Sequence, residues 1–345
     1  MAETTGKKLP IEKIITDILG TIDREREREI IARRFGLFDR KETLEQIGEL
    51  LGITRERVRQ LEKAVMARLK AMGDAGQLPH LNEVQAAFVQ EVNSLGKVAR
   101  ISDLSKRLTQ ENSRIDQARI SFLAELCPKL AVVEDNDHFH HAVSLADEHD
   151  DKKIKDLVGQ IIDVIKKIGE PAGIEKIAEK AGHDDHKHTA ALASTSKHLA
   201  TLNGRWGLVK WPMVNPKNIR DKIYVILHEQ GKHMHFNEIA EAIKDSTFKR
   251  KDVTTQAIHN ELIKDKRFVL IGRGIYALKE WGYEKGTVAD IITEVLRKAG
   301  EPLHRDEIVK QVLKSRHVKE TTILLNLQGK QQFKRVAKAT YQLAD

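Results

Sequence analysis

Within ITRERVRQLE, residues 53 to 62, three arginines, two glutamates and a glutamine share ten positions. Those side chains carry the donors and acceptors that read base edges. Arg spans guanine O6 and N7, Gln spans adenine N6 and N7, and Glu accepts from cytosine N4. A glutamate is costly beside a phosphate backbone, so its place among arginines points to readout over plain charge attraction. The same residues also suit a solvated helix face held by i,i+3 and i,i+4 ion pairs, Glu56 with Arg59 for example. Spacing alone leaves both readings open.

The elements that would position these residues are legible around them. Leu44, Ile47 and Leu51 mark the apolar face of one helix, Gly52 is placed to turn, and Thr54 suits an N-cap. In the next helix Val58, Leu61, Val65 and Leu69 recur at three and four residues and form one stripe. At about 100° per residue, Glu56, Arg59, Gln60 and Lys63 then gather opposite that stripe, with Arg55 and Arg57 flanking them. The patch occupies the first turns of the second helix, the end that a helix-turn-helix inserts into the major groove.

Composition frames the chemistry. The chain has 345 residues, 40% hydrophobic and 32% charged, long enough for several small domains. Aromatic residues make up only 5%, which suits small helical domains better than large sandwiches. A formal net charge of +8 favours a polyanionic partner, most simply nucleic acid. The single cysteine, Cys127, excludes an intramolecular disulfide framework and fits a reducing compartment. It lies in the apolar run FLAELCPKLAVV and is expected to be buried. The N-terminal residues lack the apolar core of a signal peptide, and no run approaches the ~18 apolar residues of a membrane span. A cytoplasmic protein without membrane contact is expected.

Beyond residue 75 a pattern repeats four times: SLGKVARISDLSKRL, KIGEPAGIEKIAEKA, EQGKHMHFNEIAEAI and KAGEPLHRDEIVKQV. In each, a helix meets a glycine turn and a second helix follows. The glycines are Gly96, Gly169, Gly231 and Gly300, separated by 73, 62 and 69 residues, so each repeat is a small domain of its own. A third helical stretch then runs into KLAVVEDNDHFHHAVSL, HLATLNGRWGLVKW, RFVLIGRGIYALKEW or QFKRVAKATYQLA, each of which reads as a hairpin. Three helices and a terminal hairpin predict a winged helix. Pro, Gly or charge clusters at 147–153, 211–218 and 283–286 mark boundaries. The expected organisation is a flexible tail (1–9), a helix-turn-helix unit (10–75), and winged-helix repeats at 82–147, 151–214, 215–282 and 284–345. The fold class is thus mainly α, with short β-hairpin wings.

Two resemblances add to this reading. TRERVRQLE, preceded by TLEQIGELLGI and by EIIARRFGL, resembles region four of bacterial housekeeping sigma factors over residues 11 to 70. The resemblance implies that the second helix reads a minus-35 promoter element, with Arg55, Glu56, Arg59 and Gln60 as base or near-base contacts. Arg33, Arg34, Thr43, Thr54, Arg57 and Lys63 fall at positions implied for DNA-backbone or polymerase contact. Tryptophan occurs only at 206, 211 and 281, so the aromatic promoter-melting domain of such factors has no counterpart, and the resemblance implies the reader without the opener. The repeats, the last two especially, resemble the HARE-type helix-turn-helix, which includes the N-terminal domain of the RNA polymerase delta subunit. IRDKIYVILHEQGKHMHFNEIAEAIK and a G-x-Y-x-L wing carry that likeness. It implies a nucleic-acid or polymerase adaptor without enzymatic activity.

Other candidates are weaker. His183, Asp185, His186 and His188, and His138, His140 and His141, lack the cysteine pairs or spacing of a metal finger. Asp184 or Asp185 is expected at a helix N-cap. No P-loop, G-x-S-x-G or dinucleotide glycine motif occurs, and ELIK at 261–264 reads as an amphipathic helix rather than a nuclease cluster. No catalytic residue, cofactor, metal or small-molecule substrate is therefore expected. In the wings, Arg205, Arg273, Lys334 and Arg335 are placed for backbone contact, while Trp206 and Tyr276 are expected to seal hairpins onto the core. Two functions remain: a sequence-specific transcription regulator on double-stranded promoter DNA, or an adaptor of RNA polymerase core with incidental DNA affinity.

Overall fold

A computed structural model describes residues 8–283 and 286–344. Most of the expected tail lies outside the described residues, as do residues 284 and 285 of the last expected boundary. Leu9, placed in that tail by the sequence reading, is instead held: its N–H donates to the Leu108 carbonyl at 3.0 Å. The chain is mainly helical and divides into two compact units, Met1–Lys210 and Trp211–Asp345.

The first unit opens with four helices, α1 (Ile11–Leu19), α2 (Glu25–Phe35), α3 (Leu44–Leu51) and α4 (Arg55–Asp74). There follow α5 (Leu81–Leu95), β1 (Val98–Arg100), α6 (Ile101–Leu108), α7 (Arg114–Leu126), β2 (Leu130–Val133) and β3 (Ala142–Leu145). The same order recurs in α8 (Asp151–Ile168), β4 (Ala172–Gly173), α9 (Ile174–Ala181), α10 (His186–Thr195), β5 (Leu199–Leu202) and β6 (Arg205–Leu208). The second unit holds two more copies. These are α11 (Ile219–Gln230), β7 (Met234–His235), α12 (Phe236–Asp245), α13 (Thr255–Lys264), β8 (Phe268–Gly272) and β9 (Ile275–Leu278), then α14 (Val288–Ala299), β10 (Leu303–His304), α15 (Arg305–Ser315), α16 (Glu320–Gly329), β11 (Phe333–Ala337) and β12 (Thr340–Leu343).

The repeat glycines end the first helix of each copy, all in the left-handed region, where only glycine is free of Cβ strain. The sequence reading carried the chain from that turn directly into the second helix. The structure inserts a short strand, which joins the hairpin, so each copy has a three-stranded antiparallel sheet with the last strand central. Two or three residues are too few for an alternating pattern to show. In register, Ala172 faces Trp206, Met234 faces Tyr276 and Leu303 faces Tyr341. Tyr276 is 3% exposed and seals its hairpin as expected, whereas Trp206 is only half-buried.

One apolar cluster crosses the boundary expected near 75–82. Ile11, Ile15 and Ile18 of α1 and Val65, Met66 and Leu69 of α4 pack with Phe88, Leu104, Phe122 and Leu126 of the first repeat. Arg119 is buried in α7 and ties this assembly together, donating to the Leu37 carbonyl at 2.7 Å and pairing with Glu12 at 2.9 Å. Cys127 lies in the same cluster, and burial pushes its thiol up to about 12.

The first and second repeats meet across histidines. His188 contacts the Gly96 carbonyl at 2.8 Å and its ring lies 4.8 Å from that of His149, while His138 meets His198 at 2.8 Å. A Cβ on Gly96 would stand 2.7 Å from the Lys187 carbonyl oxygen, so the bare glycine is what admits α10. Asp185 caps α10, accepting from the Lys187 and His188 N–H groups. His149 Nδ1 and His183 Nε2 are buried without a partner. Burial, then the neighbouring His188, holds both below the ordinary histidine range; Lys153 and Lys97 add to this at His149, and Glu148 opposes it. A depressed folded pKa means that the folded state favours neutral imidazole. The stability so contributed is complete above the unfolded value, about 6.5, and is lost as pH falls through the folded values. The melting temperature of the full chain is therefore expected to fall as pH drops from about 7 toward 5.5. His149→Gln should flatten that dependence in a thermal-melt series, and an equally steep fall in the variant would contradict the assignment.

Candidate nucleic-acid interface

The helix-turn-helix is built on very little apolar material. Ile30, Ile47 and Val58, one from each of α2, α3 and α4, form a small buried cluster, with Leu44, Leu51, Ile53 and Leu61 packed around it. Specific backbone devices compensate for so small a core. Thr43 caps α3 in a reciprocal box: its Oγ1 accepts from the Gln46 N–H at 3.2 Å, and the Gln46 side chain accepts from the Thr43 N–H at 2.9 Å. Gly52 ends α3 in the left-handed region, as its place in the sequence predicts, and Thr54 caps α4 by accepting from the Arg57 N–H at 3.2 Å. The sequence reading missed Gly48. A Cβ there would meet the Ile53 carbonyl oxygen at 2.7 Å, so the turn can fold back on α3 only if this residue has no side chain.

On this frame the expected readers come together. Arg55, Glu56, Arg57, Arg59, Gln60 and Lys63 are all exposed on the first half of α4, while Val58, Val65 and Leu69 are buried on the other side. These side chains also hold one another. Arg59 forks onto Glu56, Nε to Oε2 at 2.9 Å and Nη2 to Oε1 at 2.6 Å. Gln60 donates to Glu56 at 3.4 Å and accepts from Arg57 at 3.4 Å. The Arg59 guanidinium holds the Glu56 carboxyl below the usual carboxylate range, so Glu56 is an anion at neutral pH. Both sequence alternatives are thus visible at once, because the ion-paired helix face and the set of base-type donors and acceptors are the same residues.

Arg33 and Arg34, the expected DNA-backbone or polymerase contacts, are engaged in ion pairs within this unit. Arg33 bonds Glu29 at 3.0 Å and Glu42 at 2.9 Å. Arg34 bonds Glu62 of α4 at 3.3 Å and reaches the Glu42 carbonyl. Both are half-buried ties that fix α2 against the α3 approach and α4. Arg68 does likewise to the buried Glu27, at 2.9 Å. Beside α4 a cleft of about 1060 Å³ opens toward the first repeat; Arg59 and Lys63 share its lining with Arg100, Arg114, Glu125 and His140. Burial raises the Glu125 carboxyl above its ordinary range. Spacing along the sequence gave no sign that Arg100 and Arg114 lie beside Arg59 and Lys63. Of the wing candidates, Arg205 and Arg273 are exposed, each within its own hairpin. Among the described residues, no three His, Cys, Asp or Glu side chains converge as metal ligands.

Comparison with known proteins falls on this same region. Residues 24–71 match the family model described as Sigma-70, region 4. A stretch of 61 residues is 46% identical to the RNA polymerase sigma factor sigB of Arabidopsis thaliana, covering 17% of this chain and 10% of the plant protein. A 61-residue stretch is also 41% identical to the RNA polymerase sigma factor SigA of a Bacillus species, covering 17% of this chain and 16% of that protein. The chain therefore spans between a tenth and a sixth of the length of these relatives. Residues 24–71 carry a Sigma-70 region 4 domain. The match begins thirteen residues after the resemblance read from the sequence, which started at residue 11. The packing gives a reason: α1 contributes to the core of the first repeat rather than to the helix-turn-helix cluster. No helix among the described residues is long and apolar enough to cross a membrane.

The turn geometry yields a stability test. Gly48→Ala forces a backbone contact apart and is expected to cost about 1–3 kcal/mol, against about 1 kcal/mol for Thr54→Ala, which removes only a cap. Urea unfolding of both variants checks the order, and a Gly48→Ala midpoint equal to wild type refutes it.

Proposed function

We propose that the chain is a sequence-specific DNA-binding transcription regulator whose helix α4 reads a minus-35-like promoter element. The observation that carries this reading is the row of exposed Arg55, Glu56, Arg59 and Gln60 on the first half of α4, within the stretch that matches Sigma-70 region 4. In this reading those four approach base edges, while Arg57 and Lys63 meet phosphates beside them. Thr43 and Thr54 lie at helix starts, where their N-terminal N–H groups favour phosphate. Arg33 and Arg34, which also tie α2 to Glu42 and Glu62, are further candidates for DNA-backbone or polymerase contact. The four copies of three helices and a three-stranded sheet are read as tandem winged helices, the last two of HARE type, adding DNA or polymerase contacts. Arg205 and Arg273 are their backbone candidates. RNA polymerase core is the expected protein partner, the compartment is the bacterial cytoplasm or nucleoid, and no catalytic step, cofactor or metal is assigned.

One observation favours the alternative, a polymerase-binding adaptor with little sequence preference. Glu56, Arg59, Gln60 and Arg57 already satisfy one another, as side chains of a purely solvated face would. Readout requires these bonds to be exchanged for bonds to bases. Because they are exposed and screened by salt, the exchange is inexpensive.

Selection from randomised duplexes separates the two. The wild-type chain should enrich a preferred site, and Arg59→Ala or Gln60→Ala should relax the preference at one base position by about ten- to a hundredfold. Enrichment that is the same for wild type and both variants would sink the reader assignment.

A further inference from the structure

The four repeats share one plan, but they differ in what their third helix and hairpin are free to touch. In the first, α7 is largely enclosed: Arg119, Ile120, Ser121, Phe122, Leu123, Ala124 and Leu126 are all buried. In the second, α10 is pressed onto the first repeat at Gly96, with Thr189, Leu192 and Thr195 buried. The third repeat keeps part of α13 open, but the free edge of its hairpin is taken: the Ile271 carbonyl accepts from the His317 N–H at 3.1 Å, and Arg316 donates to the Leu270 carbonyl. The rings of His233 and His317 meet at a tilt across the same junction, centroids 4.5 Å apart.

In the fourth repeat both elements are open. Along α16 only Ile323 and Leu327 are buried, and Thr321, Leu325 and Gln328 form an exposed stripe in which Leu325 is 68% accessible. Of β11 only Phe333 is buried. The contrast with the third hairpin is specific. Both strands carry a register shift at the same place, Leu270/Gly272 and Arg335/Ala337. There, Val269 and Ile271 belong to a buried apolar cluster; the matching positions here are Lys334 and Val336, both exposed. Charge accumulates on β11 and on the segments either side of α16. From 314 to 338 the sequence holds Lys314, Arg316, Lys319, Lys330, Lys334, Arg335 and Lys338 against the single carboxylate of Glu320, which is +6 within a chain total of +8. Lys319, Lys330, Lys334, Arg335 and Lys338 are exposed.

We infer that the fourth repeat is a dedicated, sequence-indifferent docking surface for the phosphate backbone of duplex DNA, while the enclosed third helices of the first two repeats serve as rigid spacers. The occupant follows from charge: a row of lysines and an arginine along an open hairpin and its flanking turns matches closely spaced phosphates, and condensed counterions released on binding supply the free energy. This surface lies outside the helix-turn-helix and does not depend on what α4 reads.

The salt dependence of binding to a random-sequence duplex, measured on the full chain, tests the inference. The triple variant Lys334→Gln, Arg335→Gln, Lys338→Gln should lower the slope of log affinity against log salt by about 2–3, with binding at least about tenfold weaker near ~0.1 M salt. An equally large charge removal on the second repeat, Lys167→Gln, Lys176→Gln, Lys180→Gln, should leave the slope unchanged. Site preference in the randomised selection should be the same in both, which keeps this test apart from that of α4. Equal slopes for the wild type and the hairpin triple, or equal losses from the two triples, overturn the inference. So does a hairpin-dependent preference for single-stranded RNA over duplex. Should the triple variant fail to show wild-type circular dichroism, Lys338→Gln alone, at the hairpin turn, must lower the slope by about one; no change there overturns the inference as well.

Discussion

One helix is required to serve two cores. The twenty residues of α4 place Val58 in a helix-turn-helix cluster of only three buried side chains, and Val65, Met66 and Leu69 in the larger cluster of α1 and the first repeat. A cluster of three side chains buries too little apolar surface to hold a domain by itself. The exposed half of α4 is therefore stiff because its other half is anchored, and because Arg34, Arg68 and the Thr43 and Gly48 devices fix α2 and α3 against it. Exposed side chains can be aimed at a groove only when the backbone beneath them does not move.

The same constraint accounts for the fate of the first repeat. A surface that anchors α4 cannot also face a ligand, and α7 is that surface. Polar residues along its enclosed part are turned to internal use, Arg119 toward the Leu37 carbonyl and Glu12, and Ser121 toward His141 at 3.2 Å. The second repeat in turn is fixed to the first through Gly96 and paired histidines. Histidine suits a contact of this kind: neutral rings pack and hydrogen-bond, and the contact weakens on protonation.

Much of this was legible in the sequence, and what was not has physical causes. The stripe Val58, Val65, Leu69, the turn at Gly52 and the cap at Thr54 follow from local rules of periodicity, conformational freedom and capping, and the structure has them where those rules put them. The four repeat glycines were equally clear. The strands after those glycines were not, because two or three residues carry no alternation. The protein partners of Arg33 and Arg34 were not legible either, because an arginine on a helix face looks the same in sequence whether its partner is a phosphate or a distant Glu62. The sharing of α1 with the first repeat was hidden for the same reason: an apolar face announces that it will be buried, not against what.

The degeneracy of the first two repeats then has a simple origin. A copy that keeps a free third helix and hairpin must satisfy solvent and ligand on those faces. A copy packed into a junction must instead satisfy its neighbour, and each neighbour differs: α7 meets α1 and α4, whereas α10 meets β1. Sequence likeness among the copies should decay fastest where faces are enclosed. That is the pattern seen, with the third and fourth copies alike and the first two divergent. The exception lies within the alike pair. At the positions of Val269 and Ile271, which are buried, the fourth copy has Lys334 and Val336 in the open. A lysine where its counterpart buries a valine keeps that face open to solvent, and the cations gathered around it are the chemistry that meets a polyanion.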